Sequence, residues 1–265
     1  MDNFTVGIIG CGNMGGAIAK GMVSNNVLGA ESIFLYDKDI EKAKALAERT
    51  GCALGELSQM VRGSDLLILA VKPQDSDGLF KQIAPDVTDQ TIVSVMAGVK
   101  IDAIMGKLGK EVPVVRAMPN MAAFVSESIT AVAYNGLVKK TEEVKGVFGG
   151  IGQVIEVEEG LMDAVTAVSG SGPAYLFHLA EAMMDAAVEV GFDEGTAEKL
   201  VVQTLYGSSA LLRQSKESPA GLIKKVASKG GTTEAALAVL ETELKDIVKA
   251  AVKRAKERSE ELSKG

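Results

Sequence analysis

The pattern of apolar and polar positions divides the chain into two textures that change near Gly160. Before that point, short runs rich in Val, Ile and Leu alternate with stretches whose apolar residues recur at helical spacing. The runs 5–9, 32–36, 66–71, 91–95, 112–116, 129–134 and 154–157 predict strands, and the stretches 17–24, 40–49, 79–83, 101–108 and 142–148 predict helices. The strand runs are apolar at successive positions, so both faces of each strand are expected to be covered. Strands of that kind separated by helices predict a mostly parallel, doubly wound α/β sheet. After Gly160 strand patterns cease, and 174–190, 196–214, 219–227 and 243–262 predict helices. Small residues at Ala180, Ala182, Ala186 and Ala187 permit close helix packing. The expected division is an α/β domain over 1–160 and an all-α domain over 161–265.

Composition adjusts this picture only slightly. At 265 residues the chain exceeds the usual size of one domain, which agrees with two. A net charge of −7 with no basic stripe argues against a nucleic-acid partner. The helical part is rich in apolar residues for its size, so some of that surface is expected to be buried against a second copy of the chain. The charged stretch from Lys253 to Lys264 reads as solvated. Cys11 and Cys52 have neither metal-ligand spacing nor a disulfide pattern, and no metal site is expected. The opening Met1-Asp2-Asn3-Phe4 carries no basic segment, and no apolar run approaches the ~18 residues of a membrane span. A cytoplasmic protein with no membrane partner is the expectation.

The chemistry begins at Gly10-Cys11-Gly12-Asn13-Met14-Gly15. As a bare pattern G-x-G-x-x-G is weak, but here it follows the first strand and opens the first helix, the context of a Rossmann-like dinucleotide site. Gly10 would make the tight turn, Gly12 would let a pyrophosphate approach the backbone, and Gly15 would let helix and strand pack. Free N–H groups at the helix start would hold the phosphates. Cys11 fills a position where any small residue serves. Asp37 ends the second strand about 20 residues further on, where a carboxylate meets the adenosine ribose. It would accept bonds from both ribose hydroxyls and repel a 2′-phosphate, favouring NADH over NADPH; Lys38 beside it would partly offset that repulsion. Ala70-Val71-Lys72-Pro73 and Met96-Ala97-Gly98 follow the third and fourth strands, at the sheet end where such folds bind ligands. Lys72 would reach a phosphate or ribose, and small residues around Ala97 would admit a nicotinamide ring.

Two loops before helices carry the substrate signals: Ser169-Gly170-Ser171-Gly172-Pro173 and Ala227-Ser228-Lys229-Gly230-Gly231-Thr232-Thr233. The second combines hydroxyls with glycine amides at a helix start, a fitting place for a carboxylate. His178, the single histidine, lies among apolar neighbours and reads as structural. With no histidine or lysine placed to act on a hydroxyl proton, a C=N acceptor fits better than an alcohol or ketone pair.

These motifs resemble, in order and over nearly the whole chain, those of the pyrroline-5-carboxylate reductases. The matching segments are the glycine turn, Ala70-Val71-Lys72-Pro73, Arg116-Ala117-Met118-Pro119-Asn120, Ser169-Gly170-Ser171-Gly172-Pro173-Ala174-Tyr175, and the signature from Pro219 through Ser228-Lys229-Gly230-Gly231-Thr232-Thr233 to Glu241. The resemblance implies reduction of 1-pyrroline-5-carboxylate to L-proline with NADH or NADPH. It implies that Thr233 donates a hydrogen bond to the ring nitrogen, and that Ser228, Gly231 and Thr232, with Gly230 between them, surround the substrate carboxylate. The nicotinamide would lie near Ala97 and Asn120. It also implies a homodimer through interlocked helical domains, in many members five dimers forming a decamer. The chain departs from the family with Asp37, with Met121-Ala122 after Asn120, with Lys229, and with Thr242-Glu243-Leu244 near the last helix. Two other readings of the residues stand beside this one: reduction of a related cyclic imine such as piperideine-2-carboxylate, and a non-catalytic sensor of NAD(H).

Overall fold

The computed structural model of the protein describes residues 4–263. Its strands, in chain order, are β1 Val6–Ile9, β2 Ile33–Tyr36, β3 Ala53–Leu54, β4 Leu66–Leu69, β5 Thr91–Ser94, β6 Val114–Met118, β7 Ser128–Tyr134 and β8 Gly152–Glu156. They form one sheet in the order β3-β2-β1-β4-β5-β6-β7-β8. All neighbours run parallel except β6 and β7, which pair antiparallel. This is the mostly parallel sheet that the doubly covered strand runs predict.

Successive residues in the central strands face opposite layers. Val6 and Ile8 of β1, with Leu66 and Ile68 of β4, pack against Ile18 and Met22 of α1 (Asn13–Ser24) and Phe148 of α6 (Thr141–Gly149). Ile9, Leu67 and Leu69 point the other way, onto Phe80 of α4 (Ser76–Ile83) and Ile104 of α5 (Ile101–Leu108). Each such side chain, once buried, stabilises the fold by roughly 1.5–3 kcal/mol. The remaining sheet-covering helices are α2 (Ile40–Thr50), capped by Asp39, and α3 (Leu57–Gly63), capped by Glu56.

The strand order turns around between β1 and β4: the chain builds outward from β1 to β2 and β3, then returns to the other side of β1. Loops leaving the carboxyl ends of β1 and β4 therefore diverge and leave a crevice. That crevice is the part of the fold that positions chemistry.

The described residues divide into two compact units. One holds the sheet, ends at Ser171 and resumes at Ala255; the other is Gly172–Arg254. The second is entirely helical: α8 (Gly172–Glu189), α9 (Glu194–Gln214), α10 (Pro219–Val226) and most of α11 (Thr232–Leu262). Asp193 caps α9 by accepting from the Thr196 N–H at 3.0 Å. Ser218 caps α10, with Pro219 at the first helical position, where its missing N–H costs nothing. Before α8, the short α7 (Met162–Val165) runs into a π turn over Thr166–Gly170, in which the Ser171 N–H donates to the Thr166 carbonyl at 2.8 Å. No helix among the described residues is long and apolar enough to cross a membrane.

Helix α11 differs from its sequence pattern. It runs without a break for 31 residues from Thr232, whereas the apolar spacing predicts a helix only from 243. Its charged end is not simply solvated. Ser259 is buried and donates to Asp163 Oδ1 at 2.7 Å, within the sheet unit.

Candidate active site

The crevice at the strand turnaround is a cleft of about 550 Å³ whose lining includes Gly10, Gly12, Asp37, Ala70, Val71 and Lys72. Six residues singled out in three separate sequence motifs thus converge on one site. Gly10 has φ of +106°, and a Cβ there would lie 2.5 Å from the Ala70 carbonyl oxygen. A Cβ on Gly15 would lie 1.9 Å from the Gly10 carbonyl oxygen. Backbone sits on backbone at both positions, so the fold itself demands these two glycines.

Gly12 is different. A Cβ there would meet nothing within 4 Å, and its φ is an ordinary −75°. The protein's own packing does not need glycine at this position. What Gly12 keeps clear is the space in front of the start of α1, where the first-turn N–H groups have no helical partner and no side chain caps them. The first turn also carries no acidic residue. An uncapped helix start, free of negative charge and open toward a cleft, fits the phosphates of a dinucleotide. Asn13 and Met14 open that turn, and Asn13 is exposed.

Asp37 stands at the carboxyl end of β2. Its Oδ2 accepts from the Cys11 N–H at 2.8 Å and its Oδ1 from the Asp39 N–H at 2.9 Å. The two backbone donors fix the carboxylate at the cleft and leave lone pairs free on each oxygen. Cys11 is buried beneath this contact, and burial first, then the charge of Asp37 and the nearby Cys52, pushes its thiol up to about 12. It stays protonated and unreactive at neutral pH, as its structural reading requires. Lys72 is exposed at the rim, and Pro73 opens the short turn Pro73–Asp75 beyond it.

Ala97 is half-buried after β5, and Asn120 follows β6. Asn120 also serves the local fold: its Oδ1 accepts from the Ala122 N–H at 3.2 Å, and its own N–H donates to Ser128 Oγ at 3.2 Å.

The loop Ser228–Thr233 belongs to the helical unit. A Cβ on Gly231 would meet Ser228 Oγ at 2.5 Å, and the Gly231 N–H donates to the Ser228 carbonyl at 3.0 Å, so the turn is closed on itself. Gly230 donates its N–H to Glu234 Oε2 at 2.6 Å. Thr232 and Thr233 then open α11, whose first-turn amides again lack helical partners. Hydroxyls and amides are gathered there at the start of a long helix. Outside the predicted set, the cleft is lined by Tyr36, Lys42, Asp75 and Gln82. No single motif marks them; they meet only because β2 and β4 flank β1. Among the described residues no cluster could hold a metal ion.

Fold and cleft together define a doubly wound α/β protein whose cleft fits a dinucleotide. Residues 5–98 match a family model described as NADP oxidoreductase, coenzyme F420-dependent, and residues 159–262 match one described as pyrroline-5-carboxylate reductase dimerisation. The chain is 36% identical over 260 residues to the pyrroline-5-carboxylate reductase of Staphylococcus aureus, covering 96% of each. A solved pyrroline-5-carboxylate reductase from Coxiella burnetii is similar across 100% of both chains, at a TM-score of 0.93 and 31% identity. That of Plasmodium falciparum, with NADP bound, is similar over 99% of both, at 0.88 and 30%. The chain belongs to the pyrroline-5-carboxylate reductase family.

Proposed function

We propose that the protein reduces the C=N bond of 1-pyrroline-5-carboxylate, yielding L-proline, as the last step of proline synthesis. The likeness to named reductases over 96% of the chain carries the substrate half of this reading. The side-chain-free space at Gly12 supports the cofactor half. A reduced nicotinamide dinucleotide, when bound, supplies a hydride to the imine carbon.

The chain's own residues bind and orient. The amides at the start of α1 would hold the pyrophosphate, Asp37 the adenosine ribose, and the segments around Ala97 and Asn120 the nicotinamide. Asp37 favours NADH, because a 2′-phosphate would meet a carboxylate already fixed by two backbone donors. In the loop before α11, Ser228, Gly230, Gly231 and Thr232 would hold the substrate carboxylate. The Thr233 hydroxyl would donate to the lone pair of the ring nitrogen, present on the free imine and regained when hydride adds to the carbon. The proton that the nitrogen keeps in the product comes from solvent or with already protonated substrate, so no side chain has to act as general acid. Alignment of two bound partners supplies most of the acceleration.

The helical unit leaves Phe177, Tyr206 and Val190 62%, 70% and 77% exposed. This supports a homodimer built through those helices, with five dimers as the further assembly to test by mass in solution.

The test is oxidation of NADH and of NADPH in the presence of pyrroline-5-carboxylate, with piperideine-2-carboxylate as the competing substrate. Thr233→Ala should lower kcat/KM roughly 10–1000-fold, the range for losing one positioned hydrogen bond. An unchanged value removes Thr233 from the reaction. Cofactor binding without substrate-dependent oxidation would favour the sensor reading instead.

A further inference from the structure

The rim of the cleft holds a second carboxylate that the reading above leaves unused. Asp75 ends the turn Pro73–Asp75 that leads into α4, and its side chain makes no bond to the first turn of that helix. Its Oδ1 accepts instead from Lys38 Nζ at 2.7 Å. Lys38 follows β2 and Asp75 follows β4, and these strands flank β1, so the pair bridges the carboxyl end of β1. Both residues line the same cleft as Asp37, Lys42 and Lys72.

Lys38 is the cation next in sequence to the carboxylate assigned to the adenosine ribose. Left to itself, it would partly offset the repulsion between Asp37 and a 2′-phosphate. Lys42 is partly engaged elsewhere, 3.5 Å from Asp39. We propose that Asp75 strengthens the bias toward NADH: by holding Lys38, it withdraws the charge that would partly compensate a 2′-phosphate beside Asp37. The inference deepens the dinucleotide reading and rests on it.

The pair is a bias and not a lock. With side chains 75% and 38% exposed, it is screened by water and weakly held. NADPH is therefore disfavoured and still accepted when Lys38 swings away. The pyrophosphate and both riboses are common to the two cofactors, so their interactions with the cleft cations cancel in the ratio of affinities. Only the 2′ substituent reports on Lys38.

Fluorescence titration of NADH and NADPH into the purified protein reads this ratio without turnover. Asp75→Asn keeps the shape and removes the charge; neither it nor Lys38→Met disturbs a buried contact. Asp75→Asn should tighten NADPH relative to NADH by about 3–10-fold, the effect of one unmasked charge near the surface. The gain should shrink as salt is raised. In the background of Lys38→Met, Asp75→Asn should leave the ratio where Lys38→Met alone puts it. A ratio unchanged by Asp75→Asn, or a shift that persists without Lys38, overturns the inference while the dinucleotide site stands. Failure of the unmodified protein to bind either nucleotide overturns the site and the inference together.

Discussion

At the scale of single residues, the glycine turn separates two reasons for having no side chain. Gly15 is glycine because the backbone of Gly10 occupies the Cβ position. Gly12 is glycine although nothing in the protein occupies that position. Substitution should therefore split folding from binding. Gly15→Ala forces backbone apart and should lower the midpoint of thermal unfolding, at a cost of about 1–3 kcal/mol or more. Gly12→Ala should cost under about 1 kcal/mol, the size of a change in cap residue. It should nevertheless weaken NADH binding at least about tenfold by filling the pyrophosphate's place. Equal loss of stability in the two variants would show that the fold needs both glycines alike, and unweakened binding in Gly12→Ala would show that no phosphate lies there. The sequence alone made Gly10, Gly12, Gly15 and Asp37 legible, because their spacing is local to one strand-turn-helix unit. Asp75 was not legible as a partner of Lys38: 37 residues separate them, and only the flanking of β1 by β2 and β4 brings them within 2.7 Å.

At the scale of elements, long apolar runs were legible and short or tertiary-dependent pieces were not. Strand β3 is two residues, Ala53–Leu54, held by backbone pairing to β2 with little apolar signal of its own. Helix α3 is capped by Glu56, whose carboxylate accepts from the Gln59 N–H at 3.0 Å, outside the usual set of cap residues. Strand β6 extends to Met118, beyond the predicted 116, because Ala117 and Met118 pair with Val132 and Ala131 of β7. The end of α11 is anchored by contacts that no periodicity encodes. Arg116 of β6 is buried, with Asp163 at 3.4 Å and Glu159 at 3.8 Å. Asp163 accepts from Ser259 and Ser263, and Glu159 accepts from the Ile101 N–H at 2.8 Å. One buried cation thus ties β6, α5, α7 and the end of α11. Asp163→Ala leaves the guanidinium buried with one distant partner, which should cost about 3 kcal/mol in urea unfolding. Replacing both charges, Arg116→Met with Asp163→Leu, should cost less than Asp163→Ala alone. If the double variant is the less stable of the two, the ion pair itself and not the unpaired charge is what matters.

At the scale of the whole molecule, the two units bury apolar residues very differently. The sheet unit carries two large clusters of buried Val, Ile, Leu and Phe. Among the described residues of α8 and α10 none is buried, and α9 contributes Ala197 and Val201. Helices with Leu176, Phe177, Leu211 and Leu212 open to water cannot supply the burial that offsets their own ordering. The proposed homodimer resolves this, and it makes stability depend on concentration. For a dimer, a tenfold rise in protein adds about 1.4 kcal/mol of stabilisation. The midpoint of thermal unfolding should climb by about 1 °C for each tenfold step. Phe177→Asp places a charge on the exposed face of α8, where burial against a partner would leave it unpaired. It should shift the mass in solution toward the single chain and abolish the concentration dependence. Light scattering that gives a single-chain mass for the unmodified protein at micromolar concentration, with a midpoint indifferent to dilution, would leave those apolar faces without a partner and remove the dimer from the account.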